Sequence, residues 1–97
     1  MRGVDLAIYA DALAGEAATL SERAERARSR LRQAAIEKRA RAELTAVAVE
    51  RLEALGLLGA VDEAAARAEL RELEAALDAL EELQAWVEAE LREASAA

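Results

Sequence analysis

The sequence contains no histidine, cysteine, proline, phenylalanine or asparagine. Without cysteine the chain has no disulfide and no thiolate chemistry, and without histidine it has no imidazole base. The metal sites that depend on these two residue types are excluded as well. Its serines have no histidine to activate them. We therefore predict no enzymatic activity, no catalytic residue, no metal site and no cofactor.

Long apolar runs are also missing. A membrane-spanning helix needs about 18 or more consecutive apolar residues, and no stretch of the chain approaches that length. Near the first residue, Asp5 interrupts the sequence before an apolar segment can form, so no signal peptide is recognised. We expect no membrane span and a cytoplasmic location.

Alanine and leucine dominate the composition, with 28 and 15 of the 97 residues. Together with arginine and glutamate they are strong helix formers, whereas only nine residues are β-branched. This composition is typical of long helices and coiled coils. The sequence therefore predicts an all-α fold in a single helical domain covering residues 1–97.

One glycine-containing segment can reverse the chain direction. Gly56 can adopt the left-handed conformation that ends a helix, and Gly59 follows three residues later. Asp62 can then cap the amides of a new helix. We predict a helix over about 4–55, a turn over 56–61 and a helix over about 62–94, forming a coiled-coil-like antiparallel helical hairpin with a long first helix.

Heptad spacing of apolar residues marks the face along which the helices should pack. The second helix carries the clearer pattern, with its seam at Ala66, Leu70, Leu73, Leu77, Leu80, Gln84, Val87 and Leu91. The seam of the first helix comprises Leu6, Ala10, Leu13, Ala17, Leu20, Ala24, Ala27, Leu31 and Ala34, then Ala48, Leu52 and Leu55.

The first seam passes through Lys38, Arg41 and Thr45, which are poor seam residues. A second apolar stripe lies on roughly the opposite face of the helix there. We interpret it as contact with neighbours on two sides, although exposed apolar residues are also common. The stripe comprises Ile36, Ala40, Leu44 and Val47.

The first helix could be interrupted near residues 15–19. Thr19 and Glu22 fit a capping box, and Gly15 weakens a helix by about 1 kcal/mol relative to alanine. The heptad pattern continues without a shift through this region, however, which favours one continuous helix. Both alternatives stay open at this point.

The two arms carry opposite charges. Residues 23–41 contain eight bases and two acids, whereas residues 62–93 contain eleven acids and three bases. Folding the chain about Leu58 places residues 23–41 opposite residues 75–93. Exposed ion pairs contribute only about 0–1 kcal/mol each, but together they favour this antiparallel pairing over others.

This register leaves residues 4–20 without a partner, although they include several apolar side chains. They are Val4, Leu6, Ile8, Leu13 and Leu20. Either a short first helix folds back into a three-helix bundle, or two chains cover each other. We prefer the second solution, a homodimeric four-helix bundle.

Two functions follow from these surfaces. The first is a non-catalytic adaptor, scaffold or accessory subunit that packs against itself or another helical protein through Trp86, Ile36, Leu44, Val47, Leu6 and Leu13. The alternative is a nucleic-acid or anionic-surface binder that uses Arg26, Arg28, Arg30, Arg32 and Arg39. A net charge of −7 and a basic segment without aromatics make nucleic acid the less favoured partner.

Overall fold

The computed structural model describes residues 2–59 and 61–96, and none of these residues lies in a strand. Three helices follow in chain order: α1 (Arg2–Glu43), α2 (Ala46–Ala54) and α3 (Glu63–Ala96). The prediction of an all-α fold is confirmed. The chain divides into a terminal unit, Met1–Arg23 with Glu72–Ala97, and a central unit, Ala24–Arg71.

α1 is continuous through residues 15–19 and ends instead at Glu43. The predicted single helix over 4–55 is therefore wrong, because the chain is interrupted at residues 44–45. Thr45 has extended backbone angles (φ −68°, ψ 153°), and its hydroxyl oxygen accepts a hydrogen bond of 3.2 Å from the amide of Ala48. Thr45 is thus the N-cap of α2.

Thr19 plays a different part from the capping role considered above. Its hydroxyl donates to the backbone carbonyl of Gly15 at 3.1 Å, one turn earlier within α1. This bond is the usual one for a threonine in the interior of a helix. Threonine is a favoured N-cap residue at either position. Only Thr45 follows the part of α1 in which the predicted seam positions, Lys38 and Arg41, are charged.

The C-terminus of α2 closes with the motif that Gly56 predicts. Gly56 has φ +74°, and its amide donates to the carbonyl of Glu53 at 3.0 Å. The amide of Leu57 donates to the carbonyl of Leu52 at 2.9 Å. These two bonds constitute a Schellman motif, which satisfies carbonyls that the helix leaves unpaired.

α3 begins as predicted from Asp62. The Asp62 carboxylate accepts a hydrogen bond of 3.0 Å from the amide of Ala65, which is the N-cap interaction. Between the two caps, Leu58 is buried whereas Leu57 is exposed. The turn is therefore anchored by one leucine and by a cap on each side.

The terminal unit pairs the first part of α1 with the last part of α3 in antiparallel directions. A Cβ atom placed on Gly3 would lie 3.9 Å from the side chain of Ala94. Further along α1, Leu13 lines the same groove as Val87. Leu13, Leu73 and Val87 are buried in this unit.

The central unit is packed mainly with alanine. Ala24 and Ala27 have no exposed surface, and Ala34 and Ala66 are buried. Across the unit, Arg30 Nη2 lies 2.5 Å from Glu69 Oε2. Small side chains let helix backbones approach closely, so this unit gains its packing from close contact rather than from large side chains.

The predicted pivot at Leu58 is wrong. That register places Arg30 opposite residue 86, whereas in the central unit Arg30 pairs with Glu69. The chain leaves α1 at Glu43 rather than near residue 55, and α2 belongs to the connection between the long helices. The predicted pairing of residues 23–41 with 75–93 falls with this pivot, because Arg30 pairs with Glu69.

Residues 4–20 are therefore not an overhang. They pack within the terminal unit against residues from 72–97, and the first part of α1 does not form a separate helix. An overhang therefore gives no support for a second chain, although Val4 and Ile8 stay exposed.

The seam residues of α1 from Leu6 to Ala34 are buried or half-buried as predicted, and so are the eight predicted seam residues of α3. After Ala34 the seam of α1 shifts by one position. Glu37 is buried and Ala40 half-buried, whereas Lys38 and Arg41 are exposed. The shift keeps two bases out of the seam and brings one carboxylate into it.

Two glycines with open space around the missing Cβ separate the effect of backbone conformation from that of packing. Gly15 is helical and Gly56 has φ +74°, and neither has an atom within 4 Å of an added Cβ. We expect Gly15→Ala to stabilise the fold by about 1 kcal/mol and Gly56→Ala to destabilise it by about 1 kcal/mol. Urea unfolding of both variants measures these changes, and effects of equal sign would contradict the assigned conformations.

The position of the helix break can be tested with the two threonines. Thr45→Ala should loosen α2 by about 1 kcal/mol because it removes the cap. Thr19→Ala should be close to neutral, because that hydroxyl bonds only within α1. Amide hydrogen exchange over residues 46–54 is the measurement. If exchange over these residues became faster in Thr19→Ala but did not change in Thr45→Ala, Thr45 would not be the N-cap of α2.

Candidate interaction surfaces

Trp86 lies on the exposed side of α3 in the terminal unit. Its side chain is 54 % exposed, whereas the next residue, Val87, is 1 % exposed. Residues three, four and seven positions away share a helix face with Trp86. The exposed members of this set are Ala79, Glu82, Ala89 and Glu93, which include two acids and no base. We call these four residues, together with Trp86, the Trp86 face.

Ile36 occupies a corresponding position on α1 in the central unit. It is 62 % exposed. Arg32 precedes it by four residues and Arg39 follows by three, so both bases share its side of the helix. The exposed residues at the same spacings from Ile36 contain two bases and one acid, and we call them, with Ile36, the Ile36 face: Ser29, Arg32, Gln33, Arg39 and Glu43. Ile36 is exposed in the single chain, so the predicted contact with a second neighbour stays a prediction.

The predicted stripe from Ile36 to Val47 is not continuous. Ile36 belongs to α1, Leu44 to the connection and Val47 to α2, so the interruption at residues 44–45 separates them. Leu44 lines a shallow groove with Val49, beside the ion pair in which Arg41 Nη1 lies 3.1 Å from Glu53 Oε1. α2 has no buried residue.

Two predicted partner-binding residues lie on the packed side of α1. Leu13 is 7 % exposed and Leu6 is half-buried. Leu13 therefore offers no surface to another chain, which corrects the prediction made for it. The structure exposes other apolar residues that were not assigned to a partner site, namely Val4, Ile8, Tyr9, Leu55 and Leu57.

The predicted anion-binding arginines are partly engaged by acids of their own unit. Arg32 Nη2 lies 2.8 Å from Glu25 Oε1, and Arg28 Nη1 lies 3.6 Å from Glu25 Oε2. Arg30 pairs with Glu69. The remaining two members of the set, Arg26 and Arg39, are exposed. These pairs replace the predicted contacts with the acids of residues 75–93.

Glu37 is the one buried charged residue of the described chain, and sequence reasoning missed it. Its side chain is 5 % exposed and accepts a hydrogen bond of 3.4 Å from the amide of Gly59. Gly59 has φ +85°, and a Cβ placed on it would lie 2.9 Å from Arg41 Nη2. Glu37 therefore ties α1 to the turn, which is a structural role.

Across residues 2–59 and 61–96, no three acidic side chains are placed to share a metal ion. Over the same ranges, no helix is both long and apolar enough to cross a bilayer. The arrangement offers apolar and charged helix faces for binding.

Comparison with family models, with curated proteins and with solved structures finds no match to this chain. Its function must therefore be inferred from its own surfaces.

The pKa of Glu25 should report the Arg32 contact. The hydrogen bond from Arg32, and then the charge of the same guanidinium, hold the pKa of Glu25 below its ordinary value, with a smaller contribution from Arg28. A carboxylate with a lowered folded-state pKa stabilises the fold above its unfolded pKa, and this contribution is lost as the pH falls through the folded pKa. We expect Arg32→Gln to raise the pKa of Glu25 in an NMR titration.

Arg26→Gln is the matched control for this titration, because Arg26 does not pair with Glu25. It should leave the Glu25 midpoint where it is. An unchanged midpoint in Arg32→Gln would show that the Arg32–Glu25 contact does not persist in solution.

Proposed function

We propose that this protein is a non-catalytic helical protein–protein interaction module, acting as an adaptor, scaffold or accessory subunit. The observation that carries the proposal is the half-exposed indole of Trp86 beside the buried Val87. Exposed tryptophans of this kind are among the residues that dominate binding energy at protein interfaces.

The distribution of side-chain size supports the same function. The buried hydrophobic residues include four alanines, whereas Trp86, Tyr9, both isoleucines and several leucines are exposed. The fold therefore leaves several large apolar side chains outside its seam. Apolar surface of this kind favours association with another macromolecule.

A helix is the partner that these faces suit best. Trp86 lies on the surface of α3 and Ile36 on that of α1, and both helices are long. A second helix can pack along either surface by interdigitation of side chains. The partner can be a helix of another protein or a second copy of this chain in a coiled-coil-like homodimeric bundle. The exposed apolar faces support a homodimer, whereas the predicted overhang of residues 4–20 does not.

Replacing Trp86 tests the proposal directly. Trp86→Ala should leave the helical circular dichroism unchanged, because the side chain is not part of the buried seam, and should reduce recovery of the partner in a pull-down by about tenfold or more. Tyr9→Ala is the matched control, since Tyr9 is the other aromatic residue and is also exposed. Equal recovery with Trp86→Ala and with the unaltered protein would remove Trp86 from the interaction.

Binding of nucleic acid or another anionic surface remains the second candidate. One observation favours it: Arg26 and Arg39 are exposed, and the acids expected to neutralise their segment belong to the other unit. Phosphate binding by these bases would be strongly weakened by salt.

The two candidates differ in a simple binding measurement. If the alternative holds, a labelled duplex or single strand should be retarded at low salt, and the variant Arg26→Glu/Arg39→Glu should lose that binding. Absence of any retardation at micromolar protein and low salt would eliminate the alternative.

A further inference from the structure

We infer that the Trp86 face of one copy binds the Ile36 face of a second copy. This inference rests on the proposed function and specifies the partner that the function leaves open. Each face belongs to a single unit, so the contact joins the terminal unit of one chain to the central unit of another.

The central residues of the two faces are both apolar and both exposed. Trp86 offers a large flat side chain, and Ile36 offers a compact branched one. Packing one against the other removes apolar surface from water on both helices. Neither residue has another apolar neighbour of comparable size on its face, because Ala79, Ala89, Ser29 and Gln33 are the other uncharged members.

The charges around these residues are complementary. Glu82 and Glu93 flank Trp86 on both sides along α3, whereas Arg32 and Arg39 flank Ile36 on both sides along α1. An antiparallel arrangement brings Arg39 towards Glu82 and Arg32 towards Glu93. A parallel arrangement would bring Glu43, seven residues after Ile36, towards Glu93, so the antiparallel one is favoured. An arginine guanidinium can also stack on the indole ring.

The charges of the complete units point the same way. The terminal unit contains twelve acids and three bases, whereas the central unit contains eight acids and ten bases. Two terminal units therefore repel each other, while a terminal unit and a central unit attract. This difference selects the unlike pairing over a contact between identical faces.

Each copy carries both faces, so a chain can bind a second copy through either face. A small patch with charged edges gives a weak interface that depends on salt. We expect association at micromolar to millimolar protein that weakens as salt is added.

The test uses the intrinsic fluorescence of Trp86, which is the only tryptophan, together with sedimentation velocity over a range of protein concentrations. With the unaltered chain, the emission maximum should move to shorter wavelength and the sedimentation coefficient should rise as concentration increases. The variant Arg32→Glu/Arg39→Glu should weaken association by about tenfold or more, because two attractive flanks become repulsive. The variant Glu82→Arg/Glu93→Arg should have the same effect.

Mixing the two reversed variants provides the decisive measurement. Each alone should remain monomeric, but a 1:1 mixture should associate, because an acidic Ile36 face then meets a basic Trp86 face and the unaltered faces also match. The control Arg26→Glu/Arg71→Glu makes the same change in net charge as Arg32→Glu/Arg39→Glu, at exposed positions outside both faces, and it should associate as the unaltered chain does. Circular dichroism verifies that every variant is folded.

Three results would overturn the inference. The unaltered chain could remain monomeric with constant Trp86 emission up to millimolar concentration. It could also associate without any response to the two charge reversals, or the mixture could fail to restore association. The proposed interaction function is tested separately by the pull-down with Trp86→Ala. Loss of a partner in that experiment does not depend on which helix the partner supplies.

Discussion

Close contact between alanine-lined helix faces is the constraint on which this structure depends. Ala24 and Ala27 are fully buried in the central unit, and Ala34 and Ala66 are nearly so. Each alanine removes little apolar surface from water, so many such contacts are needed to offset the loss of chain entropy. The length of α1 and α3, 42 and 34 residues, follows from this requirement.

Helix periodicity determines where Trp86 lies. Val87 is buried in the seam of the terminal unit, as Leu13 and Leu73 are, so the preceding residue, Trp86, falls on the outer side of α3. In the central unit the buried carboxylate of Glu37 is bonded to the amide of Gly59. The outer faces therefore combine apolar centres with charged flanks, a pattern suited to recognition by another helix.

Local features could be predicted well from the sequence. The caps at Gly56 and Asp62 follow from backbone geometry and from side-chain hydrogen bonding within four residues. The seam of α3 follows from strict spacing of leucine and valine. In each of these cases the deciding interaction is local, so the chain order alone carries the information.

The register between the helices could not be predicted in the same way. A heptad pattern of alanine and leucine looks nearly the same after a shift of seven residues, so several registers bury similar seams. Charge matching favours one of these registers, but exposed ion pairs contribute too little free energy to outweigh packing. The seam moves from Lys38 to Glu37, and α1 ends at Glu43. The chain therefore turns earlier than predicted, and the candidate surfaces change with the turning point.

The register of the central unit is thus the feature that most clearly separates this structure from the predicted hairpin. Spin labels at residues 30 and 69 measure it by electron–electron resonance, in labelled chains diluted with unlabelled protein. The account predicts a short separation, set by two packed helices whose axes lie about 8–10 Å apart. The rejected register displaces these positions by seventeen residues, or about 25 Å along the helix. A separation of that size would contradict the structure described here.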